Sequence, residues 1–207
     1  MWLTTWLITV PKLPSPDPTS RIAKALQEAV AILRNHFPDA YDLVLTRESA
    51  DQRLEKSSTP AAALLIASGE TLTAALLVHL LSSALHDHII HTMSVGSTDE
   101  DLFKRGDQLV GKCGAIYYID ANGVDLEYRL RAASKGYTGV EGFRTIVDLT
   151  GFMGDNPSLK EMLVEGGVYV NWKADKEGMD LAVAERPMRP FEEVVRELDE
   201  EVLEYSC

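Results

Sequence analysis

The apolar positions of this chain fall into two kinds of run. One kind is short and continuous. Ala61 to Ala67 reads Ala-Ala-Ala-Leu-Leu-Ile-Ala, the pattern of a parallel strand covered on both faces. Residues 3–10, Tyr41 to Leu45, Ile89 to Val95, Val168 to Val170 and Leu181 to Val183 are shorter or more mixed strand candidates. The other kind recurs at helical spacing. Ile22, Leu26, Ala29, Val30 and Leu33 predict a helix from Arg21 to His36, with Thr19 or Ser20 as its cap and Phe37-Pro38-Asp39 as its stop. Leu72, Leu76, Leu77, Leu80 and Leu81 predict a second helix, from Leu72 to about Leu85. It is apolar on most sides and must therefore be largely buried. Gly139 to Leu149 reads as helix leading towards a strand. Ser158 caps a predicted helix over Leu159 to Glu165 that ends at Gly166-Gly167, and Pro190 opens a last one over Phe191 to Glu204. Ala121-Asn122-Gly123, between Gly114 to Asp120 and Val124 to Leu130, predicts a hairpin.

Strands alternate with helices along most of the chain. That order predicts a single α/β domain over residues 1–207, with a mainly parallel sheet, helices on both faces and one inserted hairpin at about 114–130. Charge narrows the partners. Twenty basic side chains against 32 acidic ones leave −12, which argues against contact with nucleic-acid phosphates. No apolar run approaches the ~20 residues of a membrane span, and the start of the chain, ending at Pro11-Lys12, makes a poor signal peptide. Two cysteines, Cys113 and Cys207, make no disulfide framework. The expectation is a cytoplasmic protein that binds neither nucleic acid nor membrane.

In a parallel α/β sheet, ligands bind beyond the carboxyl ends of the strands. The Ser68-Gly69-Glu70-Thr71 turn offers a hydroxyl and backbone N–H groups at a helix start, a natural anion site. Read alone, it is more simply an ordinary helix cap. Lys135 beside Gly136 is suited to neutralising a phosphate, and alone it is a surface lysine. Asp155 is an oxygen ligand for Mg²⁺, and alone it is a turn aspartate. His86-Asp87-His88-Ile89-Ile90-His91 is histidine-dense but has isoleucine where a metallo-hydrolase needs a carboxylate, so a helix end is the simpler reading. Cys113 in an apolar strand start reads as a small core residue rather than a nucleophile.

The order of these pieces resembles the haloacid dehalogenase-like phosphohydrolases, especially their sugar-phosphatase branch. Ala63 to Leu72, with Ser68-Gly69, looks like that family's second motif. Cys113 to Gly123 looks like the hairpin before its cap. Ser134-Lys135-Gly136 looks like its third motif, and Gly154-Asp155-Asn156 its fourth. The resemblance implies a Rossmann-like, nearly capless domain in which the hairpin is a cap remnant. It also implies a small phosphorylated or anionic ligand held by Ser68, Gly69, Lys135 and Asn156, catalytic roles for Lys135 and Asp155, and Mg²⁺ on Asp155. Two departures stand against the family's chemistry. The segment Val10-Pro11-Lys12-Leu13-Pro14-Ser15 has no carboxylate to act as nucleophile, and Leu159 stands where a second metal-supporting Asp belongs. Two classes follow: a divergent enzyme in a reused anion pocket, or a non-catalytic binding or assembly subunit whose elements at 1–10 and 72–85 meet a second copy or a protein partner.

Overall fold

A computed structural model describes residues 21–41, 62–84, 88–94, 107, 111 and 113–177. Within them lie α1 (Arg21–His36), β1 (Ala62–Ala67), α2 (Leu72–Ala84), β2 (His88–Ser94), β3 (Tyr117–Asp120), α3 (Leu126–Thr138), β4 (Phe143–Asp148), α4 (Phe152–Asp155), α5 (Pro157–Lys160), β5 (Leu163–Asn171) and α6 (Trp172–Asp175). The five strands form one sheet in the order β3-β2-β1-β4-β5. Every neighbouring pair is parallel. The predicted α/β class with a parallel sheet and helices on both faces is what forms.

Parallel strands must be joined by crossovers, and the crossovers cover the faces. β1 sits at the centre, and five of its six residues are buried. On one face Leu64, Ile66 and Ile90 pack with Leu26, Ile32 and Leu33 of α1 and Leu76, Leu77 and Leu81 of α2. On the other, Leu65, Met93, Ile119 and Ile146 pack with Leu130 of α3, Met153 and Leu159. Helix α2 is buried because it lies between the sheet and α1. That corrects the expectation of a partner interface on 72–85: its apolar surface is the domain's own core. Glu28 on α1 accepts from Thr73 Oγ1 at 3.2 Å and meets Lys176 Nζ at 3.4 Å, tying α1 to the start of α2 and to the end of the described chain.

The predicted hairpin is not formed. Residues 121–125 turn into helix α3 instead of a return strand. Val124, Leu126, Tyr128 and Leu130 alternate like a strand, but Leu130 and Ser134 share a helical face, and Arg131 pairs with Glu127 one turn away at 2.8 Å. The helix buries that face and leaves Val124 and Tyr128 exposed. Residues 139–149 also differ, being strand from Phe143. Gly142, at φ +117°, makes the entry, because a Cβ there would collide with the Met162 carbonyl. Strand β5 begins at Leu163, so the helix predicted over 159–165 shrinks to α5. Tyr41 is helical rather than the start of a strand. Residues 3–10, 42–45, 181–183 and 191–204 lie outside the described residues. No helix among the described residues is long and apolar enough to cross a membrane.

His91 on β2 is fully buried, and neither ring nitrogen has a hydrogen-bond partner. Tyr117 stacks on it at 5.7 Å, and Tyr137 and Phe143 meet it edge-on. Burial lowers its pKa from 6.5 to about 4. Between those values the unfolded chain binds a proton that the native chain refuses. Stability contributed by neutral His91 is therefore complete above pH 6.5 and falls as pH drops towards 4, by about 3 kcal/mol in total. Urea denaturation at pH 7 and pH 4.5 should show this loss in the wild type and a clearly smaller one in His91→Phe. An equal loss in both would exclude His91 as its source.

Candidate functional site

The crossover directions place a switch point between β1 and β4. From β1 the chain winds outwards through β2 to β3, then returns across β1 to build β4 and β5. The helices that follow β1 and β4 pack on opposite faces, the arrangement that in doubly wound sheets sets a ligand crevice at the carboxyl ends of the two strands.

The β1 side of the crevice is a tight turn. Ser68 is fully buried and left-handed, at φ +66°, a conformation that costs a residue with a Cβ about 1 kcal/mol or more. Gly69 donates its N–H to the Met93 carbonyl at 2.7 Å. A Cβ on Gly69 would sit 2.9 Å from both Thr92 and Tyr118, so the turn is pressed onto β2 and only glycine fits. Thr71 caps α2: its Oγ1 accepts from the Ala74 N–H at 3.1 Å and donates to the Ser68 carbonyl at 2.9 Å.

The β4 side is organised by Asp148, the last residue of that strand, whose carboxylate is fully buried. Oδ1 accepts the N–H groups of Thr150, Gly151 and Phe152 at 3.3, 2.8 and 3.0 Å. Oδ2 accepts the Met153 N–H at 2.8 Å and the Tyr169 hydroxyl at 2.9 Å. Burial and the neighbouring Asp148 push the Tyr169 phenol well above its usual range, so it stays a donor. A buried carboxylate is tolerated when donors surround it, and these five hold residues 149–153 in one shape. Across the crevice Ser68 Oγ and Thr150 Oγ1 lie 2.7 Å apart.

The remaining expected site residues do not converge here. Lys135 lies in the last turn of α3, which runs back to the amino edge of the sheet, and its Nζ pairs with Glu141 at 2.6 Å just before β4 begins. Ser68 is at the opposite edge, a strand's length of roughly 20 Å away. Asp155 is exposed in a short helix on the way back to that amino edge. Asn156 is engaged locally, its Nδ2 donating to the Phe152 carbonyl at 2.9 Å. Only Ser68 and Gly69 of the expected set sit at the crevice. The Mg²⁺ expectation is corrected as well: among the described residues no group of three His, Cys, Asp or Glu side chains could hold a metal ion. Cys113 is a buried free thiol whose pKa burial raises to about 11, an inert core residue. Asp148 and Thr150 are absent from the residues expected on sequence grounds. The signal available was a strand-ending Asp followed by a Gly turn, Asp148-Leu-Thr-Gly151, and the nearby Gly154-Asp155-Asn156 masks it.

Replacing Asp148 with Asn puts an amide N–H₂ among five donors. Asp148→Asn should cost about 3 kcal/mol in urea unfolding and Tyr169→Phe about 1 kcal/mol. A loss below about 1 kcal/mol in Asp148→Asn would show that the carboxylate does not organise this edge.

No family model and no curated protein matches the chain. Solved structures of similar shape include a quinone oxidoreductase from Thermus thermophilus, studied alone and with NADPH, at 16% identity and TM-score 0.44 over 95% of this chain and 57% of that one. They also include the Escherichia coli quinone oxidoreductase complexed with NADPH, at 16% identity and TM-score 0.43 over 86% and 50%. A third is the D-arabinose dehydrogenase from Sulfolobus solfataricus, at 16% identity and TM-score 0.47 over 76% and 40%. The chain spans about half the length of these structures. They are oxidoreductases. With Lys135 at the wrong edge and a helix in place of the hairpin, the phosphohydrolase resemblance is corrected, both as an enzyme and as a non-catalytic descendant of that family.

Proposed function

We propose that this domain binds a nicotinamide dinucleotide, in the phosphorylated NADPH form, across the crevice between the carboxyl ends of β1 and β4. The carrying observation is the all-parallel strand order β3-β2-β1-β4-β5, the doubly wound arrangement whose switch point receives dinucleotides.

At the first turn the backbone takes the left-handed shape such a group needs, although the side chains are not the usual glycines. The usual fingerprint, Gly-x-Gly-x-x-Gly, uses its first glycine for a tight turn, its second for close approach of the pyrophosphate and its third for helix packing. Ser68, Glu70 and Thr73 stand at those places. Ser68 takes the left-handed turn despite its Cβ. Thr73 is buried, with its hydroxyl on Glu28. The opening turn of α2 supplies N–H groups and the positive end of a helix dipole to a phosphate. Thr150, whose hydroxyl lies 2.7 Å from that of Ser68, would face the same pyrophosphate from the β4 side, with Gly151 next to it in the turn. Strand β2 ends on Ser94 rather than on the carboxylate that holds an unphosphorylated ribose, which favours the 2′-phosphate. When bound, such a cofactor supplies a hydride for reducing a carbonyl or a conjugated double bond. The protein's part is to hold it and keep it oriented. We place this activity in the cytoplasm, where a free thiol such as Cys113 persists.

Titration with NADPH, followed by nicotinamide fluorescence, should saturate and should show tighter binding than NADH. No saturation at millimolar NADPH would overturn the reading. Glu70 puts a carboxylate where the second glycine lets the pyrophosphate approach. Glu70→Gly should therefore tighten NADPH by roughly tenfold, about 1.4 kcal/mol, and weaker binding in that variant would show that Glu70 assists the ligand.

A further inference from the structure

We infer that Ser68 and Thr150 form a hydroxyl clasp across the switch point, and that Thr150 presents its proton to an anionic oxygen of the bound dinucleotide. This rests on the dinucleotide reading above and assigns the contact that replaces a missing glycine.

Two hydroxyls carry two protons, and the 2.7 Å contact between Ser68 Oγ and Thr150 Oγ1 uses one. Which one follows from burial. Ser68 is fully buried, and Oγ has no second partner among the described residues. If Thr150 donated, the Ser68 proton would be buried with no acceptor, at a cost of about 1–3 kcal/mol. If Ser68 donates, both needs are met: Thr150 is an exposed residue, so its own proton is left free to turn outwards. Thr150 is also held from its own backbone, since its N–H donates to Asp148 Oδ1 at 3.3 Å. The hydroxyl therefore stands fixed at the mouth of the crevice before any ligand arrives, which lowers the ordering cost of using it. A glycine at position 68 would have no side chain with which to reach β4. In this chain the side chain is present, and it couples both walls of the crevice through one hydrogen bond.

The test uses the full chain and NADPH as probe. Ser68→Gly suits the backbone, because φ +66° is free of strain for glycine. Thr150→Val keeps the shape and removes the hydroxyl, and Thr150→Ser restores it. Ser68→Gly and Thr150→Val should each weaken NADPH binding about tenfold, the double variant should be little worse than either alone, and Thr150→Ser should bind like the wild type. Unchanged or tighter binding in either single variant, with the wild type still binding, would overturn the clasp and leave the dinucleotide reading standing. Absence of binding in the wild type would remove that reading, and the clasp with it.

Discussion

One buried carboxylate fixes the carboxyl edge of the sheet beside its centre. Asp148 ends a strand inside the sheet, where an unpaired charge would be expensive, and it is kept there by four backbone N–H groups and one phenol. The backbone groups belong to a turn that would otherwise leave its donors unsatisfied. Charge and turn each answer the other's need. The position of Thr150 follows from that exchange, and so does its contact with Ser68.

The rest of the sheet is built so that polar chemistry can appear only at its ends. Both faces are sealed, one by α1 and α2 and the other by α3 and the short helices. The middle of β1 therefore has no room for polar function. At its carboxyl end the backbone must leave the ladder, and there the chain passes from apolar core to the buried Ser68 hydroxyl and on to the half-buried start of a helix within a few residues. The same logic accounts for His91, a polar ring caught in the covered region, held neutral by its surroundings and by aromatic neighbours rather than by hydrogen bonds.

Much of the fold was legible because burial on both faces writes continuous apolar runs. Ala62–Ala67 and most of the helix over 72–84 announce themselves that way, whereas the helix over 21–36 shows through apolar residues at helical spacing and the strand over 88–94 through a shorter, mixed run. Residues 124–130 misled because alternation at period two and a helical stripe coincide over so short a span, and only packing against Met93 and Ile146 decides between them. At the site, Ser68 and Gly69 were visible as a strand ending in a helix start. Lys135 was misplaced because spacing along the chain says nothing about which end of a sheet a helix end occupies. That requires knowing that residues 126–138 are one helix returning to the amino edge. Asp148 fell in a stretch, Gly139 to Leu149, that reads as helix leading towards a strand, and its importance lies in five donors that no local pattern displays.

Central placement of β1 also has a consequence for how the chain reaches its native state. One of its edges pairs with β2, which follows within a short helical crossover, but the other must wait for β4, after β3 and α3 have been made. Until then the Ala-Ala-Leu-Leu-Ile-Ala ribbon offers an unpaired, uncharged border to any other extended chain. Closure of that border depends on contacts distant in sequence, which are slow to form. Synthesis from the amino end therefore passes through a window in which this chain is most prone to aggregate, and arrival of Phe143 to Asp148 ends it.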